Sequence, residues 1–269
     1  ATGFAFVVLI VGPWLAERFE RAVAIAITTV AGLSLLALWL GAGTQNRGGL
    51  VAGFIILVGV PLVSRSFGPA VAIFSILAVA LLSVLYVADV SIDVGSNDRE
   101  LSVGQILDNI VSVREGQDAG RVNFWSEVTD DLFTQETFLT GFGFGENLGD
   151  RFGASFLDDG PDANPLRNVH NSQLNVLARM GVIGAGLWAA VWVIWFFQLF
   201  RARARLRMVD SPRRAAYLGW AMLAAAGIIV NSFFDGTIES PQVGVWLWVI
   251  FGLGAAVAME ANLREWQRR

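Results

Sequence analysis

Long uncharged stretches alternate with short polar ones along this chain. Ala22 to Gly41 and Pro69 to Ala88 carry no charge, and between them Gly48 to Ser64 is apolar and bounded by Arg47 and Arg65. After a polar stretch come Leu174 to Phe200, Ala215 to Phe234 and Val243 to Met259, while Thr2 to Leu15 reads as the tail of a further, cut span. A helix crosses a hydrocarbon core about 30 Å thick with roughly 20 apolar residues. Buried helices of a soluble protein would show a polar face at a 3.6-residue period, which these segments lack. The pattern predicts an all-α, polytopic membrane helix bundle with a large, partly helical outer loop. Its expected divisions are transmembrane helices over 1–88, the loop over 89–173, and three more transmembrane helices with a cytoplasmic tail over 174–269. The start inside an apolar run, with no Met and no charged leader, reads as an N-terminally truncated piece.

Composition agrees with the membrane reading and narrows the chemistry. Of 269 residues, 55% are hydrophobic and only 16% charged, against about 25% charged in soluble domains. There is no Cys, which excludes disulfides, thiolate metal sites, iron–sulfur clusters and a thiol nucleophile. His170 is the single His, so histidine-cluster metal sites and His–His relays are excluded as well. No metal, cofactor or nucleic-acid partner is expected; the expected surroundings are membrane lipids.

All 19 basic residues are Arg. Arg201, Arg203, Arg205, Arg207, Arg213 and Arg214 face only Asp210 in one short loop, which the positive-inside rule makes cytoplasmic. Alternation then puts 12 Arg inside and 6 outside, with Arg179 near the outer end of a span. The loop over 89–173 falls on the outer face of the cytoplasmic (inner) membrane and carries 16 of the 23 acids.

About 80 residues is far beyond the usual connection of about 4 to 6. The loop holds Phe124, Trp125, Phe133, Phe138, Phe142, Phe144, Phe152 and Phe156, too many aromatics for disorder, so part of it should fold on the membrane surface. Val122 to Phe138 reads as a helix at the interface, with Trp125, Val128 and Leu132 on its apolar face. Arg121 stands at its start, where helix N-terminus and guanidinium together suit an anion.

Gly141-Phe142-Gly143-Phe144-Gly145 follows and lacks the G-x-G-x-x-G dinucleotide spacing. It is read as a turn needing positive φ, or as a backbone nest for an anion. Asp158-Asp159, beside Gly160 and Pro161, reads as a solvated turn rather than a metal pair. His170-Asn171 comes just before the chain re-enters the bilayer, and His170 is either a structural hydrogen-bonding residue or a catalyst. No Gly-x-Ser-x-Gly elbow surrounds any Ser, which disfavours a serine hydrolase. Gly181, Gly184 and Gly186 in the next span are expected to allow close helix packing. Arg47, at an outer span mouth against the charge bias, either snorkels to lipid headgroups or has a functional role.

Taken in order, these motifs resemble the O-antigen ligase and polymerase superfamily. Thr44-Gln45-Asn46-Arg47-Gly48-Gly49 is similar to that family's T-x-S-R-G element. Gly120-Arg121 with Trp125, the Gly141 to Gly145 repeat, and His170-Asn171 with Leu174, Leu177, Gly181 and Gly184 resemble its C-terminal signature. The sequence departs from the pattern at Asn46, Gln173 and Arg179.

The resemblance implies a metal-independent membrane glycosyltransferase. It would transfer a glycan from a polyprenyl diphosphate carrier to a glycan, lipid or protein hydroxyl. Arg47 and Arg121 would bind the diphosphate, His170 would act as general base, and Gly143, Gly145 and Asn171 would line the substrate site. Arg47, Arg121 and His170 are then expected to converge within about 10 Å, roughly a diphosphate plus a sugar. The alternative is a secondary transporter or flippase, which would place ionisable groups and broken helices at mid-membrane.

Overall fold

The structure is a computed structural model that describes residues 2–43, 47–63, 84, 87–88, 91–93, 100–102, 119–152, 169–208 and 211–266. It is an all-α bundle. Helix α1 runs over Thr2–Ala16, with a π-helical turn at Val7–Val11 just before Pro13, which lacks a backbone donor. Helices α2 (Arg21–Gly43) and α3 (Arg47–Val63) follow. The expected span from Pro69 to Ala88 lies almost wholly outside the described residues, as do Asp158-Asp159. Strands β1 (Ser91–Asp93) and β2 (Glu100–Ser102) pair antiparallel with Ile92 opposite Leu101, a small ladder that the hydropathy pattern did not announce.

Next come α4 (Ala119–Thr134), a 3-10 turn at Glu136–Phe138 and the short α5 (Leu148–Arg151). Three long helices complete the chain: α6 (Ser172–Met208), α7 (Pro212–Asn231) and α8 (Pro241–Trp266). Among the described residues these last three are long and apolar enough to cross a membrane. Their outward faces keep large apolar side chains uncovered, including Leu187, Val193, Phe197 and Trp246, as lipid-facing surfaces do.

Inside the bundle, Trp192, Trp195 and Leu199 of α6 pack with Leu218 of α7 and Leu247 and Ile250 of α8. A second cluster joins Phe4 and Leu9 of α1 to Ile56 and Val60 of α3, with Leu223 of α7 against it. Small residues bring α3 and α7 together: a Cβ on Gly227 would stand 2.5 Å from Ile56. At the Arg-rich end, buried Arg203 donates to the carbonyls of Val63 and Ala215, and Arg207 donates to Val63 at 2.5 Å. These two Arg therefore cap the carbonyl end of α3, a favourable place for positive charge.

Helix α6 is broken. Gly181 has φ 62° and ψ −168°, a backbone region open essentially to glycine alone. The indole of Trp188 donates to the amide oxygen of Gln173 at 2.7 Å, although 15 residues of straight helix would separate them by about 22 Å. The segment from Ser172 to Met180 is thus an arm folded over the longer segment that follows. The single span expected from Leu174 to Phe200 is corrected to an arm and a span.

The break is repaired by backbone from the loop. The carbonyls of Ala178 and Arg179 accept from the amides of Phe142 (2.7 Å) and Gly143 (3.1 Å), and the Ile183 amide donates to Leu139 at 3.3 Å. Gly141 and Gly181 make this approach possible from opposite sides. A Cβ on Gly141 would stand 2.5 Å from the Arg179 carbonyl carbon, and one on Gly181 would overlap the backbone of Leu139 and Thr140. A Cβ on Gly184 would overlap Met180 across the break, and one on Gly186 meets nothing, so close packing holds for Gly181 and not for Gly186. Gly181→Ala should lower the thermal midpoint in detergent, on the scale of about 1–3 kcal/mol of backbone strain plus the overlap. Gly186→Ala should stay within about 0.5 kcal/mol of the parent, with tryptophan fluorescence on heating reporting both.

Candidate active site

Helix α4 carries the loop's contribution. It starts and ends earlier than the sequence pattern suggests, at Ala119 and Thr134 rather than Val122 and Phe138. Its buried stripe is Phe124, Val128 and Leu132: Val128 and Leu132 lie on it as expected, and Phe124 takes the place expected of Trp125. The reason is the indole nitrogen. Half-buried Trp125 turns aside to donate to the Val169 carbonyl at 2.6 Å, because an indole N–H needs a partner when covered. Phe124 and Val128 pack with Leu148, Val169 and Ala178, which joins α4 to the arm of α6.

The next residue after Val169 is His170, and its conformation is constrained on both sides. Its φ is 47°, the left-handed region that few residues other than glycine adopt. The Trp125 bond fixes Val169 before it. After it, Asn171 caps α6, its side-chain oxygen accepting from the amides of Gln173 (3.1 Å) and Leu174 (3.0 Å). The imidazole Nδ1 lies 3.6 Å from a carboxylate oxygen of Asp235. Asp235 is itself held by the Gly236 amide at 2.8 Å, and the Ser172 amide donates to Ser232 at 2.8 Å, tying the two segments together.

The backbones of Arg47 and Arg121 lie along the same contacts. Gly48, beside Arg47 at the start of α3, is packed so closely on α7 that a Cβ would stand 2.7 Å from Asn231 Oδ1 and from Phe234 Cβ. Phe234 precedes the Asp235 that meets His170. Arg121 is the third residue of α4, about one helical turn before the Trp125 that bonds Val169. The side chains of Arg47 and Arg121, and with them the expected convergence on His170, lie outside the described residues.

Gly141 and Gly143 have φ 75° and 89°, as the turn reading of the glycine repeat requires. The amides of Phe142 and Gly143 are spent on the α6 break. Around Gly143 and Gly145 there is open space where a Cβ would be.

Three residues that the motifs did not single out as site residues hold this end together. Arg179 donates through one terminal nitrogen to the carbonyls of Phe144 (3.0 Å) and Glu146 (3.1 Å), and through Nε to Asn175 at 2.9 Å. Arg151 binds Asp131 at 2.9 Å and Glu146 at 3.2 Å and covers the Phe142 ring at 4.3 Å. Desolvation works against it, but the hydrogen bonds and charges of those two carboxylates together raise its already high pKa. Glu239 sits on the turn after Asp235. Desolvation raises its carboxyl above the ordinary value, opposed by hydrogen bonds from Asn175 and Ser172 and by the charges of Arg179 and His170. Glu239 and Arg179 line a cavity of about 210 Å³ with Phe144, Met180, Trp188 and Trp248.

The profile of the O-antigen ligase family matches residues 32–189, more than half of the chain. The chain belongs to the O-antigen ligase family. No curated protein sequence matches it. Membership makes it a membrane protein of the ligase and glycosyltransferase type, acting in surface polysaccharide assembly with a lipid-linked glycan donor and a glycan acceptor. The matched span contains Arg47, Arg121, His170 and the two interlocked glycines, Gly141 and Gly181.

Two predictions follow from the polar cluster. Removing the Arg179 fork, as in Arg179→Met, should raise hydrogen exchange at residues 143–146 several-fold while exchange over Trp192 to Leu199 stays unchanged, read by mass spectrometry. Because folding raises the Glu239 carboxyl, its contribution to stability is full below the ordinary carboxylate value and is lost as the pH climbs through the raised one. The residue keeps solvent access, so the effect is small. Glu239→Gln should flatten the fall in thermal midpoint over that acidic window.

Proposed function

We propose that the chain transfers a glycan from a polyprenyl diphosphate carrier to an acceptor hydroxyl, without a metal, at the outer face of the cytoplasmic membrane. In this reading, residues 89–173 form the outer loop between spans over 1–88 and 174–269. The observation that carries the reading is His170 facing Asp235 at the mouth of the bundle, within a chain of this family.

The reaction needs three things. The acceptor oxygen must attack the anomeric carbon while its proton leaves. With Nδ1 turned to Asp235, the imidazole takes that proton on Nε2, and the carboxylate holds the ring and stabilises the imidazolium. The bond from the anomeric carbon to the phosphate oxygen must break, its electron pair leaving with the carrier diphosphate. Arg47 and Arg121 bind that diphosphate with planar forks and stabilise the charge that develops there, which is the work a divalent metal would otherwise do. Finally, donor and acceptor must be held at the lipid surface. Asn171, Gly143 and Gly145 line the approach, with the open space beside the two glycines leaving room for a sugar.

Arg47→Ala and Arg121→Ala should each nearly abolish transfer, and His170→Ala should lower turnover by about 100-fold or more, the usual scale of a lost general base. Asp235→Asn should lower turnover less and leave donor binding intact. The measurement is the surface glycan profile, by gel and mass spectrometry, of cells lacking their own ligase or polymerase and carrying the full-length gene. Wild-type transfer by His170→Ala sinks the general-base role. The same experiment identifies the acceptor, and with it whether the enzyme is a ligase, a polymerase or a protein oligosaccharyltransferase.

A further inference from the structure

The segment from Thr137 to Gly145 carries no charge and lies between Glu136 and Glu146, in a part of the chain otherwise dense with acids. It exposes Leu139 at 53% and Phe144 at 74%, and Phe133 beside it at 52%, its ring 5.1 Å from that of Phe138. Large apolar side chains this open need a partner.

Their depth follows from α6. The run from Gly181 to Phe200 is uncharged and bounded by Arg179 and Arg201. It has about 20 residues, hence about 30 Å of helix, the thickness of a hydrocarbon core. If Phe200 stands at one edge of that core, Gly181 stands at the other. The backbone of Leu139 and Thr140 lies directly against Gly181, so Leu139 is level with that edge. Val182 and Ile183, at the start of the span, are exposed as well, as is Met180 at the end of the arm.

Non-helical backbone is tolerated at that depth only where its polar groups are satisfied by protein. Here several of them are. The amides of Thr140 and Gly141 donate to Thr137, and those of Phe142 and Gly143 to Ala178 and Arg179. The carbonyl of Leu139 accepts from Ile183, and those of Phe144 and Glu146 from the Arg179 guanidinium. The loop presents apolar side chains outward and directs its polar backbone inward.

The geometry points to Leu139–Phe144 as a lip inserted in the bilayer at the edge of the hydrocarbon core, its occupant being lipid. Because Phe144 also lines the cavity that holds Glu239 and Arg179, the lip forms the cavity's border with the membrane. A lipid-linked substrate reaches the cavity past this border from the side. The insertion rests on the spans and not on the proposed reaction, so either can fail alone.

The chain has no Cys, which makes site-directed spin labelling direct. Leu139→Cys and Phe144→Cys, both at exposed positions, are labelled in the full chain in liposomes of phosphatidylethanolamine and phosphatidylglycerol. Glu127→Cys on the exposed face of α4 serves as the aqueous reference and Ile194→Cys as the hydrocarbon reference. Relaxation by oxygen should exceed relaxation by a water-soluble nickel chelate at 139 and 144, with nickel several-fold less effective there than at 127. Nickel as effective at both lip positions as at 127 overturns the insertion. Shielding from oxygen and nickel together also overturns it, because that pattern marks burial against protein. Agreement of the two independent positions guards against a local distortion at either one.

Discussion

The break in α6 at Gly181 is the constraint on which the polar end of this protein depends. A helix interrupted at the edge of a membrane exposes carbonyls and an amide that neither water nor lipid can satisfy cheaply. The loop supplies the missing partners as bare backbone, and bare backbone reaches bare backbone only where neither side carries a Cβ. Gly141 and Gly181 meet that requirement together. Once the two segments interlock, the arm of α6 must fold back, and Gln173 reaches both Trp188 and Ser232. The start of the arm then sits against the turn at Asp235, with His170 between them.

Charge is scarce in this chain, and the described Arg side chains show how it is spent. Arg203 and Arg207 close the carbonyl end of α3. Arg179 gathers the carbonyls that follow the interlock, while Arg151 ties α4 to the glycine loop through Asp131, Glu146 and the face of Phe142. Each uses the geometry of the guanidinium, several donors in one plane on a flat, weakly hydrated cation, which an ammonium cannot reproduce. Two of these four, Arg179 and Arg151, also bear on the loop. The glycine repeat is therefore a positioned surface, held by backbone pairing at Phe142 and Gly143 and by these two cations.

The last three long apolar helices were legible in the sequence because length and the absence of charge are enough to mark them. The loop helix was legible too, and with it Val128 and Leu132 on its buried face. The place of Trp125 was not, because the indole N–H draws it towards the Val169 carbonyl and leaves Phe124 inside. Gly181 looked like an ordinary packing glycine, since membrane helices are rich in them and composition carries no φ. What set it apart was Gly141, 40 residues earlier and in positive φ as well. Arg179 appeared only as a departure from a pattern, because its partners are backbone carbonyls and carbonyls leave no trace in a sequence. Asp235 lay hidden for a related reason. It sits on the far side of two long helices from His170, and only the fold brings the imidazole and the carboxylate together.

His170 unites these strands. A left-handed His costs free energy, so it persists only where its neighbours leave no alternative. Here the neighbours are a Trp side chain on the residue before it and a helix cap on the residue after it, both anchored in packed elements. Backbone held this way loses little further freedom on meeting a ligand, and in the proposed reaction it carries the general base, with its ring facing the Asp235 carboxylate. A base carried by a flexible loop would have to be placed by the substrate itself, and a substrate arriving on a mobile lipid chain brings little binding energy to spend on that. In the proposed reaction, the strain at His170 and the interlock at Gly181 would make the protein the rigid side and leave the mobile side to the lipid.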